Sequence, residues 1–186
     1  MLDLYCGAGG ASAGYAAAGA SEIVGVDSQP QPRYPYTFVR ADATTFPLAG
    51  FDLVHASPPC QRYARVTKWT GRPDDHPDLL GPTIERLRAA GVALWVVENV
   101  PEAIPRPDVR LCGTSFGLRV IRHRHFLTSR PVFDLMAPCW HAPAMRFIHK
   151  YERAYADALG VPWMTNREAR QAIPPAYTEW LARRLW

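Results

Sequence analysis

The chain has 186 residues, 48% hydrophobic and 20% charged, with a formal net charge of +4. That length supports one substantial core rather than two, and the composition excludes a disordered or fibrous chain. The longest apolar run, VALWVV at 92–97, falls far short of the ~20 residues a membrane helix needs, so no membrane partner is expected.

In chain order, MLDLY (1–5), EIVGV (22–26), TFVR (37–40), FDLVHA (51–56) and VALWVV (92–97) read as strands. Between them, the small-residue stretch 11–19 reads as a helix. So does the stretch 79–90, with Leu80, Ile84, Leu87 and Arg88 at helical spacing. FGLRV (116–120) and HRHFLTS (123–129) are expected to pair at one sheet edge, and 130–163 has little periodicity. The tail 174–186 opens on Pro174 and Pro175 and sets Tyr177, Trp180, Leu181 and Leu185 on one face, which predicts a terminal helix packed on the core. This alternation predicts an α/β domain with a mostly parallel twisted sheet flanked by helices. No Lys or Arg precedes Arg33, so no cationic leader is expected. Cys6, Cys60, Cys112 and Cys139 are scattered without CxxC spacing, which fits a reducing, cytoplasmic setting.

The charge is unevenly placed. Residues 61–72 hold Arg62, Arg65, Lys68 and Arg72 and no acid, while residues 119–153 hold seven basic and two acidic side chains. The rest of the chain is slightly acidic, and two basic stretches on such a body predict a polyanionic partner.

Four motifs carry chemistry. In DLYCGAGGASAG (3–14), Gly7, Gly9 and Gly10 follow a strand and open a helix, where a backbone without Cβ lets a ligand approach. No Gly-Lys-Ser/Thr follows, so it is not a P-loop. Asp27 ends the next strand, placed to accept from ribose hydroxyls. Asp42, after the third strand, is placed to accept from an adenine amino group. Together they predict a nucleoside-cofactor pocket, for either a nicotinamide cofactor or S-adenosylmethionine. In SPPCQRY (57–63), Cys60 sits on a turn stiffened by Pro58 and Pro59, with Arg62 and Arg65 as cations able to favour the thiolate. In VALWVVENV, Glu98 lies at the tip of an apolar strand, where a carboxylate needs a raised pKa or a specific partner. In RVIRHRHF, Arg122 and Arg124 alternate, so a strand would aim both the same way.

With these residues in this order, the chain resembles the DNA (cytosine-5)-methyltransferase family. DLYCGAGG is similar to its cofactor loop, SPPCQ to its nucleophile turn, ENV to its carboxylate strand end, RHR to its arginine motif, and QAIPPAY (171–177) to its final motif. The resemblance implies a Rossmann-like S-adenosylmethionine-dependent fold, with Cys60 adding to C6 of a flipped cytosine. It further implies Glu98 at N3, and Arg124 at O2 supported by Arg122. Tyr5, Gly7, Gly9, Asp27, Asp42 and Pro59 would hold S-adenosylmethionine. Gln61, Arg62, Arg65, Lys68 and Trp69 would contact DNA from a flap over residues 61–76. The chain departs from the family at Val120 (normally Gln), at Arg170 and Gln171 (normally Gly-Asn), and at Ala64 (often Ser).

The expected organisation is a catalytic and cofactor-binding domain over 1–125, a reduced recognition segment over 126–163, and a C-terminal helical piece over 164–186 that completes the catalytic domain. So short a segment cannot build its own core, which predicts a very short target or recognition shared with a protein partner or a homodimer. The competing readings are an RNA cytosine-5 methyltransferase, a non-catalytic subunit of the same fold, and a nicotinamide oxidoreductase. The transfer-RNA relatives' Cys-Phe-Thr signature is absent from the chain. Cys139-x-His141, with Cys112 and His123, His125 or His149, is a weak zinc pattern in which Cys112 is remote. These read as core and loop residues, and no metal is expected.

Overall fold

The computed structural model describes residues 1–64, 67, 69, 71–133, 136–142 and 146–186. The apolar runs of the first half become parallel strands: β1 (Leu2–Leu4), β2 (Val24–Asp27), β3 (Thr37–Arg40), β4 (Leu53–Ala56) and β5 (Leu94–Asn99). β1, β4 and β5 are buried almost throughout, as central strands covered on both faces must be. β7 (Arg124–Thr128) inserts antiparallel between β5 and β6 (Val109–Leu111), which gives the order β3-β2-β1-β4-β5-β7-β6. From β1 the chain builds outward in both directions, first through β2 and β3, then through β4 and β5. The topological switch therefore falls between β1 and β4, where the crevice of an open α/β sheet forms.

Helices cover both faces. α2 (Leu80–Ala89) lays Leu80 and Leu87 against Leu4, Val54, Ala56 and Val97. On the other face α1 (Gly10–Ala17) and α5 (Pro175–Leu185) enclose Tyr15, Leu53, Val96, Phe126 and Leu181. The small residues of α1 let α5 dock backbone to backbone. A Cβ on Gly14 would stand 2.0 Å from the Pro175 carbonyl oxygen and 2.1 Å from Thr178 Oγ1. Thr178 Oγ1 also donates to the Ala11 carbonyl at 2.8 Å.

A third cluster forms around α3 (Tyr155–Leu159) and α4 (Asn166–Ala169). There Val120, Tyr155, Leu159 and Met164 pack against Ala8 of the glycine loop. Trp163 Nε1 donates to the Ala8 carbonyl at 2.9 Å, so the C-terminal part of the chain closes back on its beginning.

The structure corrects the expected edge pair. Residues 116–120 form no strand, because a 3-10 turn over Gly113–Phe116 ends at Gly117 with φ 72. The partner of β7 is β6 instead, with Val109 and Leu111 buried and Arg110 exposed. Three residues are too few for their alternation to register as a strand in the sequence. No helix among the described residues is long and apolar enough to cross a membrane.

Candidate active site

The loop after β1 turns through left-handed backbone at Tyr5 (φ 59), Gly7 (φ 49) and Gly9 (φ 85). Gly7 N donates to Asp27 Oδ2 at 3.1 Å, and Asp27 Oδ1 accepts from Gln29 N at 2.9 Å. Each carboxylate oxygen keeps a lone pair for a further donor. The two glycines differ in role. A Cβ on Gly7 would meet nothing within 4 Å, so Gly7 faces open space, whereas one on Gly9 would lie 2.8 Å from Pro35 Cδ. Tyr5 shares a hydrogen bond with Thr83 Oγ1 at 3.2 Å. Asp42 is exposed beyond β3. Hydrogen bonds from the Thr44 hydroxyl (2.7 Å) and backbone (2.8 Å) hold its carboxyl below the usual range.

At the neighbouring strand end, Ser57 N donates to the Leu4 carbonyl at 3.2 Å, setting the Pro-Pro-Cys turn beside the glycine loop. Buried Asn99 then reaches across from β5 and donates through Nδ2 to the Pro58 carbonyl at 3.0 Å. The Cys60 carbonyl accepts from Tyr63 N (3.0 Å) and Ala64 N (2.9 Å), so a helical turn opens on the cysteine. Pro59 and Gln61 are exposed and Cys60 is half-buried. Burial pushes the Cys60 thiol up, Arg124 and Arg122 oppose that shift, and Glu98 adds to it. The thiol therefore sits in the electrostatic neighbourhood of the acid and both arginines.

Sheet register explains the acid's partner. Glu98 lies opposite Phe126 across the antiparallel β5–β7 pair, which makes Arg124 its diagonal neighbour on the same face. Arg124 Nε stands 2.6 Å from Glu98 Oε1, with side chains 15% and 8% exposed respectively. Burial raises the Glu98 pKa against the lowering effect of Arg124 and Arg122. The sequence offered a raised pKa or a specific partner for this residue; it has both.

Other residues behave differently from the sequence expectation. Arg122 precedes β7, so strand alternation does not govern it. It is buried, donating through Nη1 to Tyr155 Oη (3.3 Å) and through Nη2 to the Arg170 carbonyl (3.0 Å), and its own carbonyl accepts from Tyr177 Oη at 2.5 Å. It braces the site against the C-terminal segment while its charge still acts on Cys60 and Glu98. Arg62 is not a free cation beside the thiol. It pairs with Asp74 Oδ1 at 3.2 Å and donates to the His76 carbonyl at 3.2 Å, bracing the turn over Pro73–Asp75. Trp69 is 85% exposed. Arg65 and Lys68 lie outside the described residues.

Cys112, His123, Cys139 and His141 converge in space, although Cys112 is remote in sequence. Asn99 and Trp163 were not singled out as site-building residues. Only Asn99, next to Glu98, carried a sequence signal.

Several solved structures share this architecture. A protein named as a DNA modification methyltransferase, encoded within an E. coli prophage, superposes with a TM-score of 0.51 at 18% identity. A DNMT2 variant from Spodoptera frugiperda gives 0.52 at 21%, and the Dnmt2 methyltransferase of S. pombe gives 0.50 at 19%. The chain shares the fold of these methyltransferases. The matches cover 68%, 70% and 72% of this chain but only 45%, 49% and 49% of those structures, so the chain spans less than half of each. No protein-family model matches the sequence, and no curated protein is similar to it. Within this methyltransferase fold, the glycine loop and the Cys60 turn occupy the two sides of the β1–β4 switch point.

Proposed function

We propose that the chain is an S-adenosylmethionine-dependent DNA cytosine-5 methyltransferase that works in the cytoplasm, with Cys60 as nucleophile and Glu98 as acid. The observation that carries this reading is the placement of a half-buried thiol on the turn after β4, within the fields of a buried Glu98–Arg124 ion pair.

The glycine loop fits the cofactor. Gly7 opens to free space, and the Asp27 carboxylate beside it retains acceptor capacity for ribose hydroxyls. Tyr5, Gly7, Gly9, Asp27, Asp42 and Pro59 would hold S-adenosylmethionine, whose bound sulfonium supplies the methyl group that C5 accepts. The protein's own residues do the rest. Cys60, ionised, adds to C6 and makes C5 electron-rich. Glu98, with its pKa raised by burial, carries a proton toward N3 and drains charge from the ring. Arg124 fixes that carboxyl and offers donors to O2. Loss of the C5 proton then expels Cys60. The target base is reached by flipping it from the duplex, at a cost of a few kcal/mol. Exposed Gln61 and Trp69, with Arg62, Arg65 and Lys68, would contact DNA from the flap over residues 61–76. Residues 126–163 serve as a reduced recognition segment between the catalytic part (1–125) and the C-terminal helices (164–186). The short segment favours a target of very few bases or recognition shared with a second subunit.

The test is incubation with labelled S-adenosylmethionine and DNA or RNA carrying 5-fluorocytosine. A covalent adduct with DNA that disappears in Cys60→Ser is expected. Trapping on RNA alone would move the substrate to RNA, and no adduct on either polymer would overturn the covalent mechanism. Mapping the modified positions on arbitrary duplexes tests the recognition segment: a strict site of four or more bases would refute weak specificity.

A further inference from the structure

We propose that Cys112, His123, Cys139 and His141 bind one structural zinc ion that fastens the loop around Cys139 and His141 to the antiparallel edge of the sheet. Cys112 directly follows β6 and His123 directly precedes β7, while the other two belong to a loop with no regular structure among its described residues. The four ligand atoms lie within 4.8 Å of one another.

The spacing matches the metal. Tetrahedral zinc, with Zn–S near 2.3 Å and Zn–N near 2.0 Å, sets sulfur and nitrogen about 3.6 Å apart. Cys112 Sγ lies 3.3 Å from His141 Nε2, and His123 Nε2 lies 3.4 Å from Cys139 Sγ. Two thiols and two imidazoles, each contributing one atom, are a complete ligand set for a closed structural site. Thr114 Oγ1 donates to Cys112 Sγ at 3.5 Å and so orients that thiol. A cavity of about 710 Å³, lined in part by Arg110, Cys112, His123, His125 and Cys139, gives the ion a route in.

The device answers a physical need. The loop exposes Phe133 and Trp140 and contributes little to the main core, and a segment of this size cannot hold a fixed shape by apolar burial alone. A metal cross-link supplies that shape. It also reaches the catalytic side, because Arg124 Nη1 donates to the carbonyl of His123 at 2.8 Å. A fixed His123 therefore helps to fix the arginine that pairs with Glu98.

The experiment reads metal directly, without substrate, so it stands or falls apart from methyl transfer. The protein purified under reducing conditions is assayed for zinc, and the chelated protein is reloaded with cobalt alone. About one zinc per chain is expected, and the cobalt form should show tetrahedral ligand-field bands with thiolate charge transfer. Cys139→Ser and His141→Ala, both at exposed positions, should retain zinc at least about tenfold less well. His149→Ala, exposed and outside the cluster, should keep it. Chelation should speed tryptic cleavage after Arg146 and Lys150. Absence of zinc with no tetrahedral cobalt spectrum, undiminished zinc in both cluster variants, or a Cys112–Cys139 disulfide in the reduced preparation would each overturn the proposal.

Discussion

Asp3 sits at the centre of β1 with no exposed surface. Its Oδ2 accepts from Ser12 Oγ at 2.5 Å, Ser12 in turn meets Tyr34 Oη at 2.7 Å, and Oδ1 has no hydrogen-bond partner among the described residues. Burial raises its pKa from 3.8 to about 7, against the lowering effect of the Ser12 bonds. A tenfold change in proton affinity is worth about 1.4 kcal/mol, so ionised Asp3 costs the folded state about 4 kcal/mol. The native state binds the proton more tightly than the unfolded chain. Asp3's contribution is therefore intact below the unfolded pKa and is lost as pH rises through the folded value near 7.

Asp3→Asn keeps an acceptor for Ser12 and removes the titration. Urea unfolding of both proteins between about pH 4 and pH 8 isolates the residue, because other groups cancel in the difference. The variant should gain about 4 kcal/mol on the parent across that interval. A difference constant to within about 0.5 kcal/mol would refute the reasoning and show that Asp3 is solvated or otherwise paired in solution.

Alkylation of Cys60 by iodoacetamide should follow a pH midpoint above that of an ordinary thiol. Glu98→Gln should lower that midpoint, since the carboxylate raises the thiol's pKa, and Arg124→Met should raise it; mass spectrometry of the labelled peptide reads both. Gly14→Ala drives a Cβ into the backbone of α5 and should cost about 1–3 kcal/mol or more by urea denaturation, as overpacking does. Thr165→Ala removes the capping box of α4, in which Thr165 Oγ1 accepts from Glu168 N, and should cost about 1 kcal/mol in the same assay.

The placement of Cys60 and Glu98 at neighbouring strand ends was legible because its parts are local. Two prolines ahead of a cysteine and a carboxylate ending an apolar strand are visible in a few residues, and in both cases the flanking strand formed where its apolar run predicts. The buried partners of Arg122 were not legible from strand alternation, because Arg122 lies two residues ahead of the strand that enforces it. The Arg62–Asp74 pair was not legible, because the two residues meet across a turn and have no periodic relation.

The sequence alone determined the parallel strands, the glycine turn and the terminal helix, since each follows from short-range periodicity and backbone freedom. Only the tertiary structure decided that β7 would enter between β5 and β6. That one antiparallel insertion brings Arg124 diagonal to Glu98, and it brings Cys112 and His123 together at the adjoining ends of β6 and β7. Register between distant strands is set by the packing of the whole sheet, so no local pattern of residues encodes it.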